Sequence, residues 1–280
     1  MSSDAHNEVY THGYSPLVEA YMAARTASQH AGFFLGHLRV GMDLLDCGCG
    51  PGSTTLDFAA AVAPGRVEGV DIEASQIASA SARAVERGLT NAHFQVGTIY
   101  ELPFASESFD AVFAHTVLQH LRDPLRALVE MRRVLKPSGI IGVRDDDWGT
   151  FLLEPSSPLL RLWESLHIKV WTHNGGNPFI GRSYRRLLRE AGFERTLGSS
   201  SSECHASAEE TPGVAATMVE HHRAPAFINV VIEQGWADQQ LLDSMYAEVQ
   251  NWGERDDAFF SYTFGECIAW KPDGPSHSAG

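Results

Sequence analysis

Basic residues are scarce in this chain of 280 residues: 21 Lys and Arg stand against 35 Asp and Glu, a formal net charge of -14. A surface of that sign repels a phosphate backbone unless a basic patch compensates. The one candidate patch, Arg182, Arg185, Arg186 and Arg189, has the spacing of a single helix, and a solvated helix face beside Glu190 is its simplest role. No nucleic-acid partner is expected. Long apolar runs are lacking as well. Stretches such as residues 227–232 fall far short of the roughly 20 residues that cross a bilayer, so no membrane partner is expected either. The opening Met1-Ser2-Ser3-Asp4 has neither the basic nor the apolar segment of a secretion signal, and the expectation is a cytoplasmic protein.

Cysteine is equally sparse. Cys47, Cys49, Cys204 and Cys267 form no paired metal-ligand spacing, and a reducing compartment keeps such residues as thiols. The 13 histidines are scattered, with no His-Glu-x-x-His helix. No metal site is expected. What remains is an ordinary globular composition, 44% hydrophobic and 20% charged, with length enough for a sizeable core. No internal repeat is visible.

Apolar patterning then sets the organisation. After a polar lead-in and helical residues around Leu17, Tyr21 and Ala24, strands and helices alternate. Strands are predicted at 42–46, 67–71, 93–96, 109–114 and 140–144, and helices at 53–62 and 74–87. A further helix starts at Asp123-Pro124, a capping residue followed by proline at the first helical position. Such alternation predicts an α/β fold, a doubly wound, mostly parallel sheet with right-handed crossovers. Beyond residue 144 the pattern loosens into helices at 155–172 and 183–191 and late strands at 193–205 and 259–270. About 50 residues separate those strands, too many for a simple loop, and helical patterns at 211–223 and 238–251 predict a helical insertion.

The most informative stretch is Leu44 to Thr55, "LLDCGCGPGSTT", a buried strand that ends on a glycine-rich corner. In doubly wound sheets, ligands sit at the carboxyl ends of the strands, near the switch point. Gly48, Gly50 and Gly52 form Gly-x-Gly-x-Gly, one residue tighter than the dinucleotide fingerprint. On its own such a corner is a weak signal. Asp71 strengthens it by closing the next strand, "RVEGVD", where a carboxylate can hold both hydroxyls of a ribose. Cys47 and Cys49 lie inside the turn as small residues filling a corner, with redox chemistry the alternative. A nicotinamide dehydrogenase is disfavoured by the glycine spacing.

"LLDCGCGPGSTT", "VEGVDIE", "FQVGTIYELPFASESFDAVFAHTVLQHL" and "MRRVLKPSGIIGVRDDD" follow one another over about residues 40–147. In that order they resemble the motifs of class I S-adenosylmethionine-dependent methyltransferases. "AFFSYTFGECIAWKP" is similar to the last strands of the ubiquinone/menaquinone-biosynthesis type. The resemblance implies S-adenosylmethionine as cofactor and a cofactor site shared among several elements. Gly48, Cys49, Gly50 and Gly52 would approach its methionine part, Asp71 would hold the ribose, and Ile72 and Ile99 would flank the adenine. Gln76 and Gly97 complete the expected site. Thr98 stands where such proteins usually carry Asp. His115, Thr116 and Val117 would border the transferred methyl group, and Tyr21 and Arg25 would close over the cofactor carboxylate.

The expected reaction is methyl transfer to an oxygen, sulfur or nitrogen of a small, partly apolar metabolite. The alternatives are C-methylation of a quinone-like ring, or a cofactor-binding protein with a non-methylating or regulatory function. His115 and His120 are the candidate bases, with a structural role for His120 as the competing reading. Of the three acids in "VRDDDWG", alternation puts Asp145 and Asp147 on one side and Asp146 on the other. Asp145 is the third candidate catalytic residue. The expected organisation is a helical cap (1–35), a methyltransferase core (36–205), a helical lid (206–257), a last strand (258–271) and a disordered tail (272–280).

Overall fold

The computed structural model describes residues 10–273. The start of the expected cap and most of the expected tail lie outside the described residues. The sheet begins with β1 (Leu44–Cys47), all four residues buried, then β2 (Val67–Asp71), β3 (Ala92–Val96) and β4 (Phe109–His115). Strands covered on both faces read as near-continuous apolar runs, which is why β1, β2 and β4 stand out in the sequence. The sheet is completed by β5 (Leu135–Glu154), β6 (Glu194–His205) and β7 (Phe259–Trp270), in the order β3-β2-β1-β4-β5-β7-β6. β1 pairs in parallel with both β2 and β4, and β4 pairs in parallel with β5. The chain therefore steps to one side of β1, returns, and continues on the other. This reversal opens a crevice at the carboxyl ends of β1 and β4.

Flanking helices are α4 (Ser53–Val62), α5 (Ala74–Glu86), α6 (Pro124–Val134) and α8 (Tyr184–Glu190). They are numbered after three short N-terminal helices, α1 (Pro16–Ala23), α2 (Ala27–His30) and α3 (Gly32–Leu35). Local signals launch several of them. Ser15 before α1 accepts the Val18 N–H and Asp123 before α6 accepts the Arg126 N–H, each followed by proline at the helix start.

Two differences from the sequence reading matter. The fifth strand does not stop at residue 144 but runs to Glu154, because β7 stays paired antiparallel with it on both sides of a bulge, Asp147 against Thr263 and Leu152 against Ser261. Three helices, α9 (Thr211–Arg223), α10 (Pro225–Glu233) and α11 (Gln239–Gly253), occupy the long connection between β6 and β7. The middle one, nine residues long and mostly apolar, was not among the predicted helices. Together with α7 (Pro158–His173) they build a second apolar body. In it Phe227, Met245 and Trp252 are buried in one cluster with Trp163 and Trp171. Among the described residues no helix is long and apolar enough to cross a membrane.

Candidate active site

The glycine corner shapes the crevice through its backbone. Gly48, Gly50 and Gly52 have φ of +72°, +50° and +76°, the left-handed region in which side chains are strained. A Cβ on Gly48 would also come within 2.3 Å of Val117. Turned this way, the Gly50 N–H donates to Asp71 Oδ2 at 2.9 Å, and the Glu73 N–H donates to Oδ1 at 3.0 Å. The carboxylate at the end of β2 is thus locked against the corner at the end of β1.

A cavity of about 340 Å³ lies there. Of the residues expected at a cofactor, Arg25, Gly48, Cys49, Gly50, Asp71, Ile72, Gln76, Gly97, Thr98, Ile99, His115, Thr116 and Val117 all line it. Two do not. Gly52 sits behind the turn, its N–H donating to the Cys49 carbonyl, with Ala80 and Phe94 where a Cβ would go. Tyr21 borders a second cavity instead. Tyr10, Tyr14, Asp46 and Glu73 line the first cavity without having been singled out. The two tyrosines come from a lead-in with no periodicity to read. Asp46, immediately before the glycine corner, had a position that could have flagged it. It is buried, accepts the Thr55 hydroxyl at 2.6 Å, and burial raises its carboxyl to about 7. Burial also pushes the Cys47 and Cys49 thiols well above their ordinary value. That direction disfavours the thiolate on which redox chemistry depends.

The second cavity, about 440 Å³, shares Tyr10, Met22, Arg25, Thr116 and His120 with the first. Its other walls include Asp146, Trp148, Phe260 and Tyr262 from β5 and β7, and Val214, Thr217, Met218 and His221 from α9. Arg25 Nη1 donates to Thr116 Oγ1 at 2.8 Å at the boundary between the two.

None of the three candidate catalytic residues has the free lone pair a base requires: His120 Nε2 is taken by the Gln119 amide nitrogen at 3.4 Å. His115 Nδ1 lies 3.2 Å from the Arg144 carbonyl and so must carry the proton, while its Nε2 faces Arg144 Nη1 at 3.3 Å. Both nitrogens are spent, and burial with Arg25 and Arg144 nearby holds the ring neutral. Asp145 lines neither cavity. It is buried on the opposite side of β5, bonded by the Tyr184 hydroxyl and the Gln119 N–H. Asp147 pairs with Arg182 (Nε to Oδ2, 2.6 Å). The expected alternation is present, and Asp146 is the acid on the cavity side.

Histidines scattered in sequence converge around the second cavity. His12 Nε2 lies 3.3 Å from His167 Nε2, and His167 Nδ1 lies 3.0 Å from His222 Nε2, joining the N-terminal segment, α7 and α9. His221 stacks on His12 with centroids 4.4 Å apart. Among the described residues no three His, Cys, Asp or Glu side chains come together as a metal site. Burial lowers the pKa of all four, His221 to about 4 with help from Arg25. A histidine whose folded pKa is depressed contributes stability above its unfolded value near 6.5, and that contribution is lost as pH falls. The raised carboxyls of Asp46 and Asp146 act in the opposite direction, so a comparison between variants is needed. Relative to the parent, His221→Gln should lose less stability between about pH 6.5 and 4, by up to about 3.4 kcal/mol. Denaturant titrations of both proteins at several pH values check this, and parallel profiles would contradict it.

Residues 45–143 match the family model described as "Methyltransferase domain". A probable methyltransferase, ltbC, of Aspergillus luteorubrus is 30% identical over 97% of this chain and 100% of its own length. The demethylmenaquinone methyltransferase of Lactococcus lactis is 30% identical over 68% of this chain and 67% of its own. The crystal structure of YcgJ from Bacillus subtilis superposes with a TM-score of 0.60 at 21% identity, covering 87% of this chain and 98% of that one, a likeness of fold.

The first cavity fits S-adenosylmethionine on its own chemistry. Asp71 presents a fixed carboxylate able to accept hydroxyl groups, and Gln76, almost fully buried, has an Oε1 without any partner. Gly50 leaves open space where a side chain would stand, with only Gln76 Oε1 near, at 3.9 Å. An orphaned buried oxygen is costly unless a ligand satisfies it. The fold, the site and the relatives agree: this chain belongs to the class I S-adenosylmethionine-dependent methyltransferases, and S-adenosylmethionine is its cofactor.

Proposed function

We infer that the enzyme methylates an oxygen, sulfur or nitrogen atom of a small, partly apolar molecule bound in the second cavity. The observation that carries this reading is the junction of the two cavities at Tyr10, Met22, Arg25, Thr116 and His120. A donor in one cavity and an acceptor in the other meet there. Trp148, Phe260, Tyr262 and Met218 give the acceptor side an apolar, largely aromatic wall.

When bound, S-adenosylmethionine supplies an electrophilic methyl group that needs no further activation. The work left to the protein is alignment, because holding two reactants in line and close removes much of the barrier. Asp71 binds the ribose. Arg25, with one N–H spent on Thr116, has other N–H groups for a carboxylate. Ile72, Thr98 and Ile99 surround the adenine, and α9 covers the acceptor and excludes water.

Thr98→Asp tests the adenine end. The Thr98 hydroxyl accepts the Tyr100 N–H at 3.3 Å, a bond that a carboxylate keeps while adding a second acceptor oxygen. S-adenosylmethionine affinity by calorimetry should be equal or up to about tenfold tighter, as for one added charge-assisted hydrogen bond. Much weaker binding in a folded variant would mean that Thr98 does not face the adenine.

A second reading, methylation of a ring carbon, is supported by the likeness to the Lactococcus lactis enzyme. Transfer of labelled methyl groups to a panel of a phenol, a thiol, an amine and a quinol decides between the two. Product only from the quinol, on carbon, would overturn the heteroatom reading.

A further inference from the structure

Two side chains in the second cavity carry buried polar atoms that the fold leaves unsatisfied. Asp146 is buried, its Oδ2 accepts the Trp148 indole N–H at 3.3 Å, and its Oδ1 has no partner. His120 lines both cavities, and its Nδ1 has no partner.

Gln119 connects the two and settles what each can do. The Asp146 backbone N–H donates to Gln119 Oε1 at 3.0 Å, which fixes the orientation of the amide. Gln119 Nε2 then faces His120 Nε2 at 3.4 Å. An amide nitrogen only donates, so the His120 Nε2 is the acceptor and the single ring proton sits on Nδ1. Burial, with Arg25 and His221 nearby, holds this ring neutral, its pKa down at about 3. His120 is therefore a hydrogen-bond donor with no lone pair to offer. The carboxylate of Asp146 has lone pairs to offer, its Oδ1 is unpartnered, and its side chain lines the cavity.

We propose that Asp146 receives the proton of the methyl acceptor, that His120 Nδ1–H donates to the acceptor, and that the acceptor is an aromatic molecule bearing a hydroxyl or thiol. This rests on the heteroatom reading above. The balance is simple. A lone pair of the acceptor's oxygen or sulfur forms the new bond to the methyl carbon, the S–CH3 bond breaks with its electrons kept by sulfur, and the acceptor's proton ends on Asp146. An aromatic body suits the walls formed by Trp148, Phe260 and Tyr262. Electrostatics agree: burial and the negative charge of Glu203 raise the Asp146 carboxyl to about 6, against the pull of Arg25 and Arg144. Tyr10, Tyr21, Tyr262 and Asp145 also feel its charge. Asp146 is thus ionised at pH 7 and close to the acidity at which a general base works well.

Asp146→Asn should bind S-adenosylmethionine as the unaltered enzyme does. It should methylate a neutral phenol or thiol at least about 100-fold more slowly at pH 7, the usual scale for loss of general-base help. A nitrophenol already ionised at that pH should recover to within about tenfold, since no proton remains to be taken. In the unaltered enzyme kcat/KM should fall below about pH 6, a limb that the variant lacks. The phenol and thiol arms separate the two acceptor atoms. Nitrogen-15 NMR of the cofactor-free protein reads the His120 tautomer directly and needs no variant. A variant as fast as the parent, an equal loss on ionised and neutral acceptors, or an Nε2–H tautomer would each overturn the proposal while leaving heteroatom methylation standing. If the unaltered enzyme methylates carbon and neither hydroxyl nor thiol, the reading beneath it fails as well.

Discussion

Asp71→Ala will weaken S-adenosylmethionine binding by about 10- to 150-fold, the equivalent of roughly 1.5–3 kcal/mol for hydrogen bonds to a charged group. Two contributions add. On the proposed reading the carboxylate receives the ribose hydroxyls, and it also braces the corner by accepting the Gly50 and Glu73 N–H groups. Alanine removes both, leaving a glycine turn with more freedom to lose on binding. Burial raises the Asp71 carboxyl, and the Glu73 and Gly50 N–H bonds offset part of that rise. Asp71→Asn keeps an acceptor oxygen without the charge and should fall between the two. Calorimetry measures the affinities and circular dichroism checks the fold. Unchanged affinity in a folded Asp71→Ala protein would remove this residue from the site.

Thr217→Trp should lower acceptor turnover by about 100-fold or more while S-adenosylmethionine affinity stays within about twofold, since small misplacements of a reactant carry costs of that size. Thr217 stands on α9, borders the second cavity and is absent from the first. On the proposed reading an indole there occupies the acceptor's space and leaves the cofactor crevice alone. It is a sharper test of α9 as a cover than removing residues 206–257. Deletion would strip Phe227, Met245 and Trp252 from Trp163 and Trp171 and destroy an apolar core, whatever the role of the segment. Normal turnover in the tryptophan variant, measured as methyl transfer at saturating cofactor, would place the acceptor elsewhere.

How far the sequence alone reached can be traced through particular residues. The runs that became β1, β2 and β4, the glycine corner and the acid closing β2 all report local requirements. A strand buried on both faces must be apolar along its length, and a backbone at positive φ favours glycine whatever surrounds it. From these the switch point and the glycine corner with Asp71 followed; Ile72, Thr98, Ile99 and His115 came only through the family resemblance, and Tyr10, Tyr14 and Glu73 were legible in neither.

Gly52 and His115 mark where local reasoning stopped. The chain shows that a glycine is needed at position 52, yet only packing shows that Ala80 and Phe94 demand it rather than a ligand. It likewise places His115 at the end of β4, yet the Arg144 carbonyl and guanidinium that occupy both its nitrogens lie on the neighbouring strand. Alternation separated Asp146 from Asp145 and Asp147 without saying which side of β5 would face open space. That was decided by α9, folded back from the connection between β6 and β7, and by the N-terminal segment with Tyr10 and His12. The second cavity is therefore a tertiary property. Periodicity in a chain reports that a face is covered, while what covers it depends on contacts between residues as far apart as His12 and His167.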